Sequence, residues 1–86
     1  MYENINEKVD VIAIFGKGFQ DVKPFKLTWH GRQHIISEIG YKHKTREGNK
    51  VIHVFSCTDG HNFFELRFNA EDLKWILSRV WDGQTN

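Results

Sequence analysis

Val51 to Phe68 reads VIHVFSCTDGHNFFELRF. Apolar and polar residues alternate on both sides of a short polar break, the period of two that marks a strand with one buried face. Asp-Gly between two such runs is a strong hairpin signal. A two-residue turn at Asp59 and Gly60 would pair Thr58 with His61. It would place Phe55 opposite Phe64, His53 opposite Leu66 and Val51 opposite Phe68. The large residues of both strands then share one face, and the chain is predicted to be all-β.

A second hairpin precedes it. In KPFKLTWHGRQHII, Phe25, Leu27 and Trp29 alternate with Lys26 and Thr28, and His30-Gly31 supplies the tight turn, since Gly takes positive φ freely and His more readily than most residues. Leu27 is then expected to face His34, and Phe25 to face Ile36, all four on one side. The long segment from Arg32 to Glu47 is expected to bend at Gly40, because a lone Gly in a strand pattern marks a bulge. Further out, VDVIAIF (Val9 to Phe15) forms a first strand ending at Gly16 and Gly18. Residues 1–8 are expected to be frayed, and 83–86 a loose tail. Asn69 to Asp72 is a polar break, with at most one helical turn near Ala70 to Leu73, before LKWILSRVWD resumes β character. The expected fold is an antiparallel meander of five or six strands over residues 9–82, forming a small barrel or strongly curved sheet.

Composition sets limits on function. At 86 residues this is one domain, with 40% hydrophobic residues and three Trp, seven Phe and two Tyr, enough for a core. Twelve Lys and Arg balance eleven Asp and Glu, so attraction to a polyanion must come from local clustering. Cys57 is the only cysteine, which excludes an internal disulfide and suits the cytoplasm. The polar start and the lack of any run near ~20 apolar residues imply neither a secretory signal nor a membrane span.

The sharpest chemical feature is YKHKTRE. With a three-residue turn at Gly48 to Lys50, Tyr41, His43 and Thr45 point to one face, while Lys42, Lys44 and Arg46 form a stripe on the other. Cations ~7 Å apart along a strand suit a flexible phosphate backbone. Lys50 and Arg67 extend the patch, and Phe63, with Tyr41 or Trp29, offers a stacking surface for single-stranded nucleic acid. The alternative is that the stripe only protects an edge strand from unwanted pairing.

Other candidates are weaker. His34, His43 and His53 would make an open metal site only if the hairpins stack, and no ligand spacing supports it. Cys57 and His53 lie ~13 Å apart in an extended strand, too far for a nucleophile and its base. FGKGF lacks the third glycine of a phosphate turn. Trp75, Leu77 and Trp81, with Arg79 between them, fall on one side of the last strand; they read as core or as a protein contact.

The order WHGR, a basic strand, a strand ending in TDG, FFELRF and KWILSRVWD, over residues 23–82, is similar to a type of small uncharacterised bacterial β-domain, also found at the C-terminal end of proteins resembling Y-family DNA polymerases. The resemblance implies a compact antiparallel domain in a DNA-related context and transfers no catalytic residue. The expected function is a non-enzymatic binding module without cofactor or membrane, with nucleic acid as the leading partner and a protein as the other.

Overall fold

The computed structural model describes residues 2–17 and 21–82. They form seven strands: β1 (Tyr2–Phe15), β2 (Val22–Trp29), β3 (Arg32–Ile35), β4 (Glu38–Glu47), β5 (Lys50–Thr58), β6 (Phe63–Asn69) and β7 (Lys74–Trp81). All pair antiparallel in one sheet of order β3-β2-β1-β7-β6-β5-β4. The all-β antiparallel expectation holds, but there are seven strands, not five or six, and the sheet is open, not a closed barrel. No helix among the described residues is long and apolar enough to cross a membrane.

The two edge strands, β3 and β4, are consecutive in the chain and joined only by Ile36 and Ser37. In a flat sheet they would lie ~29 Å apart, six spacings of ~4.8 Å, whereas the link reaches ~10 Å. The sheet must therefore curl until its edges converge. At that point the Ile36 N–H donates to Phe25 O and the Ser37 N–H to Thr58 O, each at 2.8 Å, so the chain passes from β2 to β5 within two residues. Sequence patterning put the bend at Gly40. Gly40 does form the expected bulge, inside β4, where the register steps from Ile39↔Cys57 to Tyr41↔Ser56, but the crossing between the sheet edges comes earlier, at Ile36 and Ser37.

β1 begins at Tyr2, seven residues before the apolar pattern does, so residues 2–8 are not frayed as expected: they pair along the edge of β7 opposite β6, from Tyr2↔Trp81 to Lys8↔Ile76. The terminal strands so complete the sheet. Gly18 and residues 83–86, the expected turn glycine and tail, lie outside the described residues.

The first hairpin follows the sequence reading: Leu27 pairs with His34, and His30 and Gly31 have φ of 51° and 76°, as a tight type I′ turn requires. Phe25 does not join the core. β1 pairs Ile12 with Lys26 and Ala13 with Pro24, which leaves Phe25 in a bulge, 45% exposed, while Pro24 turns inward.

The β5–β6 hairpin is looser than two residues. Thr58 pairs with Phe63, Cys57 with Phe64, Phe55 with Leu66 and His53 with Phe68. Asp59 holds the wider loop: its Oδ1 accepts the N–H groups of His61 (2.9 Å) and Asn62 (2.7 Å), and its Oδ2 lies 2.8 Å from His34 Nδ1 on β3. A register shift of two preserves the faces, so the same large residues meet although their partners differ. Burial alone would raise the Asp59 carboxyl, but bonds from Asn62, His61 and His34 outweigh it and hold it below the usual value. Since the folded value is depressed, this stability is present above pH ~4 and is lost as pH falls through the folded value. Asp59→Ala should destabilise by roughly 1–3 kcal/mol at pH 7 in urea unfolding, and by progressively less as pH falls below about 4.

No helical turn forms at Ala70 to Leu73. Asn69 Oδ1 instead accepts the N–H of Glu71 (2.9 Å), and Leu73 closes the reversal at φ 55°.

The core on the concave face joins Val22, Leu27, Ile36, Phe55, Cys57, Phe64, Leu66, Phe68, Trp75 and Leu77. A bulge at Ser78, between the pairs Leu66↔Leu77 and Glu65↔Arg79, reverses the facing of β7. Trp75 and Leu77 therefore point inward, while Trp81 and Arg79 turn outward beside Phe63 and Tyr2, so the three apolar residues expected on one side are divided.

Candidate ligand-binding edge

Strand β4 decides where the chemistry lies. Its turn to β5 contains two residues, Gly48 (φ 63°) and Asn49, with Glu47 paired to Lys50, and not the three expected. One residue fewer reverses every side chain of the strand. Lys42, Lys44 and Arg46 still form a stripe on one face, but that face is the concave one, with Phe55, His53 and Val51 directly opposite. Tyr41, His43 and Thr45 take the convex face beside Ser56, Val54 and Ile52.

All three cations of the stripe are exposed, and among the described residues none makes an ion pair. The rest of the expected patch is engaged elsewhere. Lys50 Nζ is 3.1 Å from Asp72 Oδ2, and Arg67 is paired with Glu47 on the convex face. Phe63 is also on the convex face, 41% exposed and stacked on Trp81 with ring centroids 5.0 Å apart. The six residues expected to act together are thus divided: Lys42, Lys44 and Arg46 stand together, and Lys50, Arg67 and Phe63 do not join them.

Two further features surround the stripe. β4 pairs with β5 alone, so its other edge is without a strand partner among the described residues over ten residues. Beside that edge, where β2 and β4 diverge from Ile36 and Ser37, lies a cleft of about 500 Å³ lined by Ile14, Lys23, Phe25, Glu38, Tyr41 and Lys42. Ile14, Phe25 and Tyr41 are 58%, 45% and 61% exposed, an apolar wall that alternation had hidden by assigning Phe25 to the core.

His53 reports on the stripe. Its basicity is lowered first by burial and then by the positive charges of Lys44 and Lys42. A depressed folded value means that neutral His53 favours the fold above its unfolded pKa, and this contribution is lost as pH falls through the folded value. In Lys42→Gln/Lys44→Gln, the His53 midpoint measured by NMR should move upward, toward 6.5, without reaching it, because burial remains.

The three histidines do not converge. His34 bonds Asp59, His43 rests against Tyr41 on the convex face with ring centroids 5.2 Å apart, and His53 lies against Phe68 on the concave face. Among the described residues no three His, Cys, Asp or Glu side chains form a set able to hold a metal ion. Cys57 is buried, and its thiol is pushed up to about 12, chiefly by burial and then by Asp59, which leaves no thiolate at neutral pH.

A second surface gathers on the convex face, where Tyr2, Trp81 and Phe63 occupy one cross-strand row. Arg79 sits over the Tyr2 ring at 5.5 Å and binds Glu65 at 3.2 Å, so its charge is already met. Comparison with protein-family models, curated proteins and solved structures finds no match for this chain.

Proposed function

We propose that this protein is a non-enzymatic binding module that holds an extended anionic chain along β4. The observation that supports it is that Lys42, Lys44 and Arg46 line one face of one strand and, among the described residues, none of the three meets a carboxylate, whereas Lys50, Arg67 and Arg79 each do. Their spacing of ~7 Å suits a ligand that is itself extended. Single-stranded nucleic acid satisfies the charge requirement, and the cleft wall of Phe25 and Tyr41 offers it rings in place of the distant Phe63. An acidic polypeptide satisfies it equally. The single buried thiol accords with a reducing compartment, and we place the module in the cytoplasm.

The experiment is fluorescence anisotropy with labelled polyglutamate and labelled oligothymidylate at low ionic strength. Binding of at least one that weakens steeply toward 150 mM salt, and is lost in the triple variant Lys42→Gln/Lys44→Gln/Arg46→Gln, is expected. Equal affinity of the triple variant for either probe removes β4 as the site.

A further inference from the structure

The reading of β4 as the ligand-bearing strand can be taken further, because charge is only half of what this edge offers. Along its free side, Glu38–Glu47 presents backbone N–H and C=O groups that no strand among the described residues receives. A polypeptide strand supplies donors and acceptors at the matching period, whereas a phosphodiester chain supplies acceptors alone. The diverging β2 edge and the cleft beside it leave space on that side, walled by Ile14, Phe25 and Tyr41. From these features, and resting on the proposed function above, we infer that β4 takes up an acidic polypeptide segment by strand addition, recognising acids at three alternate positions.

The register follows from the faces of β4. A strand laid antiparallel against it sends every second side chain to the concave face, beside Lys42, Lys44 and Arg46, and the intervening ones to the convex face, beside His43 and Thr45, with Tyr41 flanking the end of the segment. The segment recognised is therefore five residues long at its centre, with Asp or Glu at positions one, three and five and apolar or aromatic residues at two and four. A second copy of this chain is disfavoured in the register centred on the stripe. Two β4 edges meeting about a two-fold axis at Lys44 set Lys44 against Lys44 and Lys42 against Arg46, and like charges directly opposite one another destabilise a pair. The stripe that guards β4 against its own kind thus selects a partner of opposite charge.

The test uses the full chain and labelled probes of four kinds. The first is a capped nonapeptide with Glu-Val-Glu-Tyr-Glu at its centre. The second has the same composition with its acids in one block. The third is the alternating peptide, N-methylated at every second residue in each of the two possible phases. The fourth is oligothymidylate of equal charge. The inference requires the alternating peptide to bind about tenfold more tightly than the block peptide, one N-methylated phase to lose binding, and the oligonucleotide to bind more weakly. Tighter binding of the oligonucleotide overturns it in favour of nucleic acid and leaves β4 as the site, provided the triple variant loses that binding. Loss on N-methylation with equal affinity for the block peptide overturns the alternate-acid pattern but keeps strand addition. Indifference to both pattern and N-methylation overturns strand addition. Failure of every probe overturns the proposed function as well.

Discussion

Phe55→Ala is expected to lower stability by roughly 3–5 kcal/mol, while Phe25→Ala changes it by less than about 1 kcal/mol. Phe55 is 1% exposed and packs on Trp75 with ring centroids 5.7 Å apart, so truncation removes a large apolar group and leaves a space that rigid strands cannot close. A domain of this size has a total of only about 4–13 kcal/mol, and the melting temperature should fall by roughly 15–30 °C. Phe25 is 45% exposed in its bulge, and its structural contribution is the backbone oxygen that receives the Ile36 N–H, which alanine retains. Simple alternation would assign both rings to the core. Thermal unfolding of the two variants therefore tests the bulge directly, and equal losses would contradict it.

The largest functional effect is expected from Lys42→Gln/Lys44→Gln/Arg46→Gln. Exposed charge pairs contribute about 0.2–1 kcal/mol each, so three together represent about 0.6–3 kcal/mol, roughly a three- to 150-fold loss of affinity for an anionic chain. For an oligonucleotide the salt slope should also fall by about two to three units, since released counterions follow the number of contacts. Folding stability should hardly change, because none of the three makes an ion pair among the described residues. The control is Lys50→Gln/Arg67→Gln, which removes the same kind of charge where Asp72 and Glu47 already compensate it. Isothermal titration of both variants should show the loss only in the first.

The faces of the strands were legible in the sequence wherever turn and pattern agreed. At the first hairpin, His30-Gly31 set both the turn and the Leu27↔His34 pair. At the second, Asp-Gly suggested a two-residue turn, but the Asp59 carboxylate captures two backbone N–H groups and draws Asn62 into a wider loop. The faces survived because the error was of two residues. At Gly48 it was of one, and the basic stripe moved from the convex to the concave face. Alternation also carries no mark of a bulge without glycine, and Phe25 and Ser78 sit at such bulges. Those two positions place Phe25 on the cleft and Trp81 on the convex face. The ion pairs of Lys50 and Arg67 join residues about twenty apart, and only the folded sheet brings them together. The divergence of β2 from β4 likewise follows from curling of the whole sheet.

The claim that an anionic chain lies along β4 is tested most directly by following backbone amide signals of the ¹⁵N-labelled protein while the alternating acidic peptide is added. The account predicts that shifts concentrate at Tyr41 to Glu47, with His53 across the strand pair following and its imidazole becoming more basic as the lysines are neutralised. Shifts concentrated instead at Tyr2, Phe63, Arg79 and Trp81, with β4 unmoved, would contradict it and assign the binding surface to the convex aromatic row.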